Sequence, residues 1–243
     1  MEHPEFAPDP SLSRSEMETL QRDIADSATF ADNLDSNLLD PNFGQQPTVA
    51  GVDQGFSGDT ATSAVVVMRG GEVLERAHAS AETEIPYIPG LLSFREGGAV
   101  LSALDALESD PDVVLVDGSG RIHFREAGLA THVGVTLDWP TIGVAKSLLC
   151  GEPRTSVSGL PTGRRVPVEA DESVTAPNGT RIGDAIQTRQ YDSGDRHINP
   201  LYVSPGHRVG ADTAADLVER YATRYKLPDP VRRADRYAAE LTD

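Results

Sequence analysis

The chain has 243 residues and a formal net charge of -17, with 38 Asp and Glu against 21 Lys and Arg. That length allows one large domain or two small ones around a sizeable core. It contains no apolar stretch long enough to span a bilayer, and Met1-Glu2-His3-Pro4 is not the start of a secretory signal, so a soluble cytoplasmic protein without a membrane partner is expected.

The lone Cys150 rules out an intrachain disulfide. Lys146 and Lys226 are the only lysines, and the acids are scattered rather than blocked. Such a surface suits high intracellular salt, where at ~1 M the Debye length is only ~3 Å. It also argues against broad attraction to nucleic acid, so any such partner must be held by local arginines and metal ions.

Residues 1–12 read as a loose, proline-containing tail. Ser13-Arg14-Ser15-Glu16 has capping-box spacing, and Met17, Leu20, Ile24 and Ala28 follow at helical intervals, which predicts an amphipathic helix. Residues 31–47 read as a polar linker. Tail, helix and linker (1–47) are thus expected to precede a single domain over 48–243.

Strands are predicted at 48–54, 62–69 and 72–82. Gly58-Asp59 and Gly70-Gly71 divide them, the pattern of an antiparallel meander. The stiff loop Pro86-Tyr87-Ile88-Pro89-Gly90 leads into a helix over 92–108, whose Gly97 and Gly98 permit close approach to a sheet. Continuous apolar runs at 112–117 and 141–145 read as buried parallel strands, separated by a small-residue helix over 127–138. Residues 147–163 read as loop, followed by strands at 164–169, 181–189 and 200–204. Helices over about 210–225 and 231–241 close the chain. The sum is an α/β fold: a mixed sheet of three antiparallel strands plus parallel strands, flanked by helices. In such sheets the site lies beyond the carboxyl ends of the parallel strands.

Three acids occupy costly positions. Asp53 ends one strand, Asp117 ends another, and Glu96 lies on the inner side of a helix. Buried carboxylates need a partner or a cation, and several converging on one spot repel each other unless a divalent metal compensates them. An all-oxygen set favours Mg²⁺, with Mn²⁺ as a substitute. His207, read as lying between a strand and a helix, is a candidate to ligate metal or polarise water, and Lys146 a candidate to stabilise phosphate. Gly118 and His123 belong to a glycine-containing loop suited to approach an anion. Tyr87 and Ile88 form an aromatic–aliphatic pair on a stiff loop, a shape able to part stacked bases. Arg164, Arg165, Arg232, Arg233 and Arg236 are further candidates for phosphate contact or for a solvated face.

Seven blocks in order resemble the endonuclease V family: Val49-Ala50-Gly51-Val52-Asp53, Pro86 to Leu92, Phe94-Arg95-Glu96, Val116-Asp117-Gly118, His132-Val133-Gly134, Pro140 to Ser147, and Val203-Ser204-Pro205-Gly206-His207. The resemblance runs from about residue 48 to 236. It implies a ribonuclease-H-like fold and Mg²⁺-dependent hydrolysis of the second phosphodiester bond 3′ to deoxyinosine, leaving 3′-hydroxyl and 5′-phosphate ends. It further implies that Asp53, Glu96 and Asp117 are the catalytic, metal-holding acids, with His207 near the metal and Lys146 as the active-site lysine. Tyr87 matches the wedge, and Ile88, Pro89, Gly90 and Leu92 the loop that shapes the base pocket.

The chain departs from the family at Phe124, where proline is usual, and at Gly55 after Asp53-Gln54. A monomer acting on DNA is expected. The alternatives are action on inosine-containing RNA, a nuclease of excision repair, and a module that binds damage without cutting.

Overall fold

The computed structural model describes residues 1–34, 46–190 and 198–243. Much of the polar linker expected over 31–47 lies outside them. The expected loose tail is instead docked. A 3₁₀ turn at Pro4–Phe6 lies against a later helix, where His132 Nε2 is 2.7 Å from the Phe6 carbonyl and the His3 N–H donates to Thr136 O. The apolar ring of Phe6 joins a cluster with Ile24, Ala127 and Val135, and this burial is what fixes the tail.

The capping box forms as its spacing predicts. Ser13 N–H donates to Glu16 Oε2 at 2.8 Å, and Glu16 N–H reaches back to Ser13 Oγ, opening α1 (Arg14–Ser27). Left-handed φ values at Gly58 and Gly70 then fold β1 (Thr48–Ser57), β2 (Thr60–Arg69) and β3 (Glu72–Glu82) into the antiparallel meander. α2 (Leu92–Asp105) crosses to β4 (Val113–Asp117), and α3 (Leu129–Leu137) crosses to β5 (Thr141–Ala145); β1, β4 and β5 are parallel.

The remainder is β6 (Glu152–Pro153), β7 (Arg165–Glu169), β8 (Arg181–Ile186), β9 (Leu201–His207), α4 (Ala211–Tyr221) and α5 (Asp229–Thr242). Among the described residues the strands form one sheet in the order β3-β2-β1-β4-β5-β9-β8-β7-β6, and β9 is antiparallel to β5.

Two faces of this sheet carry the core. Val49, Leu115, Ile142, Val144 and Val203 pack with Leu217, Val218 and Val231 of α4 and α5. Ala50, Val52, Val114 and Val116 pack on the other side with Val100, Leu104, Leu129 and Val133 of α2 and α3. Each fully buried aliphatic side chain contributes about 1.5–3 kcal/mol.

The glycines of β1 have a packing reason. A Cβ on Gly51 would lie 2.1 Å from the Pro230 carbonyl carbon, and one on Gly55 would lie 2.9 Å from Thr242 Oγ1. α5 therefore lies directly on β1, along the same face that carries Asp53. The unusual Gly55 is explained by that crossing.

Candidate active site

Asp53 and Asp117 arrive side by side because β1 and β4 pair in parallel register, Val52 opposite Val116. Asp53 is 7% exposed; its Oδ1 accepts the Gln54 N–H at 2.7 Å, while Oδ2 has no hydrogen-bond partner. Burial, reinforced by the Asp117 carboxylate, pushes the Asp53 carboxyl up to about 8. Glu96 projects from α2, is 6% exposed, and is pushed up to about 7 by burial, against the opposing pull of Arg95.

Lys146 directly follows β5, and its Nζ donates to Asp117 Oδ2 at 2.6 Å. Burial disfavours the ammonium, but the Asp117 partnership outweighs it and holds the amine above its ordinary value. Asp235 of α5 adds a further carboxylate, 3.8 Å from Lys146 Nζ. Nothing in the sequence pattern singled it out: on an amphipathic helix it resembles any solvated acid.

The structure does not bring His207 to this place. Because β9 is antiparallel to β5, His207 pairs with Thr141 at the start of β5, whereas Lys146 lies past its other end. His207 Nε2 is 3.1 Å from Asp138 Oδ1, and its Nδ1 accepts the Thr29 N–H at 3.2 Å. Arg208 closes the group through Asp138 Oδ2. Both ring nitrogens are engaged, and burial pulls the imidazole below its ordinary value. The expected role for His207 beside a metal is thereby corrected.

A cavity of about 360 Å³ opens beside the acids. Asp117, Gly118, Lys146, Tyr87, Gly90, Leu92, Ser93 and His123 are among its lining residues. Tyr87 is 62% exposed at its rim, whereas Ile88 is half-buried against Met17, Leu91 and Phe94, so the pair is not jointly exposed. Pro89 is exposed. Gly90 takes a left-handed φ of 81°, and Phe124 packs where a Cβ would project.

His123 is not available to a phosphate. It is 3% exposed, burial holds it neutral at about 3, Nε2 is 3.0 Å from Gly90 O, and Nδ1 accepts the Arg125 N–H. The loop glycines also serve packing: the Gly120 N–H donates to Ser204 Oγ, and a Cβ there would meet Pro205 O at 2.2 Å. Arg165 is held by Asp216 and Glu219, and Arg232 by Asp229 and the Tyr225 ring.

Among the described residues no group of three or more His, Cys, Asp or Glu is already gathered tightly enough to hold a metal ion. The chemistry of the site nevertheless fits a hard divalent cation: oxygen donors only, one buried carboxylate oxygen without a partner, and two acids destabilised by burial.

Parallel strands delivering acids to one sheet end, with helices on both faces, make this a ribonuclease-H-like nuclease fold. The family model "Endonuclease V" matches residues 33–236. Endonuclease V of the halophilic archaeon Haloarcula marismortui is 61% identical, over 98% of this chain and 95% of that protein. The crystal structure of Streptomyces avermitilis endonuclease V superposes with a TM-score of 0.79 at 31% identity, covering 98% of this chain and 96% of that one. Ciona intestinalis endonuclease V, solved with a 24mer DNA containing an inosine followed by a ribo-adenosine, gives 0.74 at 25% identity, covering 93% and 96%. The chain belongs to the endonuclease V family. Among the described residues no helix is long and apolar enough to cross a membrane.

Proposed function

We propose that this chain recognises deoxyinosine in DNA and hydrolyses the second phosphodiester bond on its 3′ side, leaving 3′-hydroxyl and 5′-phosphate ends. The observation that supports this most is a cavity lined by Asp117 and Lys146, next to the buried Asp53, whose size and lining suit one extruded purine. Asp53, Asp117 and Glu96 would hold Mg²⁺, with Asp235 in place of His207 as the additional nearby acid. A bound divalent cation supplies charge neutralisation at the scissile phosphate and a lowered pKa for attacking water.

The chain's own residues do the rest. Tyr87 stacks at the cavity rim and fills the gap left by the extruded base. The backbone around Gly90 and Leu92 reads the base edge. Lys146, held beside Asp117, would offer its ammonium to the developing negative charge. The neutral His123 braces the wall rather than moving a proton.

The Ciona relative was solved on an inosine followed by a ribonucleotide, so RNA belongs in the test. End-labelled DNA and RNA duplexes with one inosine are incubated with Mg²⁺ and the nick is mapped. A single nick at the second bond 3′ to inosine in DNA is expected. No nick with retained binding would overturn the reading in favour of a damage-binding module, and cleavage of the RNA alone would reassign the substrate.

A further inference from the structure

The cavity wall beside Tyr87 depends on α1, a helix outside the sheet. Gly90 O collects three side-chain donors: Gln21 Nε2 at 2.8 Å, His123 Nε2 at 3.0 Å and Arg125 Nη2 at 3.4 Å. Gln21 is 1% exposed, and its Oε1 accepts Arg125 Nε at 2.7 Å. A carbonyl has two lone pairs. Three donors therefore leave Gly90 O no capacity to accept from a ligand.

The adjoining backbone has the opposite character. The N–H groups of Leu92 and Ser93 open α2 ahead of any intrahelical acceptor, and no side chain caps them. Both residues line the cavity, and the Ser93 hydroxyl is buried without a partner. This wall offers donors and has its glycine acceptor occupied. At position 6 itself a 6-oxo purine presents an acceptor, whereas adenine presents an amino donor.

We infer that Gln21, anchored by Arg125, is a specificity-determining positioning residue. By occupying the Gly90 carbonyl it keeps the cavity complementary to a 6-oxo purine and hostile to a 6-amino one. Without Gln21 the shortest of the three contacts is gone and Arg125 Nε–H loses the oxygen that steadies its long 3.4 Å contact, so only His123 still holds Gly90 O at close range and one lone pair opens to a ligand. Rejection of a base that cannot satisfy buried polar groups is among the strongest forms of discrimination a pocket can exercise. The inference rests on the deoxyinosine reading.

The test compares two duplexes of one sequence, with deoxyinosine or deoxyadenosine at a single position, cut with Mg²⁺ in molar KCl. Gln21→Leu and Gln21→Glu should lower the inosine-to-adenosine ratio of kcat/KM by about tenfold or more. The loss should appear as a raised KM on inosine and new nicking at adenosine, with saturated kcat on inosine within about threefold of wild type.

A merely structural role would lower the melting temperature and the amount of active enzyme but leave the ratio and KM unchanged. That result, a ratio within about twofold of wild type in folded enzyme, overturns the inference. If both variants fail to fold, Arg125→Lys removes the anchor of Gln21 while keeping a charge near Glu18. It should shift the ratio in the same direction by less, and an unchanged ratio is again contrary. A wild-type enzyme that does not prefer inosine refutes the functional reading itself; a wild-type preference that survives in the variants refutes only the role of Gln21.

Discussion

The two ends of the central parallel strands contain similar ingredients in opposite states. At the carboxyl end, Asp117 acts on both Asp53 and Glu96, one carboxylate oxygen of Asp53 has no partner, and Asp53 and Glu96 are pushed toward neutrality. At the other end, His207, Asp138, Arg208 and the Thr29 backbone satisfy one another. A His–Asp pair looks more like catalytic machinery than a knot of acids does. Yet both ring nitrogens of His207 are engaged, so the imidazole has nothing left to offer a ligand. The end proposed as reactive is the one whose polar groups folding leaves in conflict.

The largest expected effect is at the conflicted end. Asp53→Asn or Asp117→Asn should reduce nicking by about 10³-fold or more, since a cation's contribution is several kcal/mol. Asp53→Asn removes a repulsion without breaking the Lys146–Asp117 pair, so its metal-free melting temperature should hold or rise. A simultaneous fall in both activity and melting temperature in that variant would mean the acid is structural.

Next in size is Gly51→Ala. Its Cβ would strike the Pro230 backbone and lift α5, carrying Asp235 away from Lys146. Overpacking of this kind costs about 1–3 kcal/mol, a fall of roughly 2–4 °C in melting temperature per kcal/mol for a chain of this size. Activity per folded molecule should fall as well. Thermal melts with active-site titration separate the two losses, and unimpaired activity would remove Asp235 from the site.

At the satisfied end, His207→Ala should cost about 1–3 kcal/mol by orphaning Asp138 and the Thr29 N–H. Cleavage per folded molecule should be unaffected. If nicking collapses while the melt is unchanged, the contrast between the two ends is wrong. The mildest change is Tyr87→Ala at the exposed rim, which should weaken binding to inosine-containing DNA by about 1–3 kcal/mol. Single-turnover rates at saturating enzyme should change less than affinity does.

Much of this was legible in the chain. Buried apolar runs ending in Asp53 and Asp117, and the run before Lys146, announce both strands and site, because strand length and burial are local properties. The direction of β9 is not local. Val203-Ser204 reads as a strand and His207 as a loop residue beyond it, but only pairing decides that the strand runs antiparallel and carries His207 to the far end. Asp235 was hidden for a related reason: its helix is amphipathic, and the acid's importance comes from Gly51 and Gly55, distant in sequence, letting that helix settle on β1. The docked tail and Gln21 were equally silent, since each acts through contacts with residues more than sixty positions away.

The most direct test of the contrast is the stabilisation that Mg²⁺ gives the fold as a function of pH. Asp53 and Glu96 have folded-state values raised to about 8 and about 7, above their ordinary values of 3.8 and 4.5. The folded state therefore binds more protons than the unfolded one across that window. Below about pH 6.5 the buried neutral histidines oppose this trend, so in EDTA the fall in stability should be read between about pH 6.5 and 8. If the ionised acids hold a divalent cation as proposed, the gain in melting temperature from Mg²⁺ should be small near pH 5 and grow through pH 8. Wild type and His207→Ala should show the same growing gain, and Asp53→Asn a much reduced one. An undiminished gain in Asp53→Asn, or a gain abolished by His207→Ala, would contradict the account.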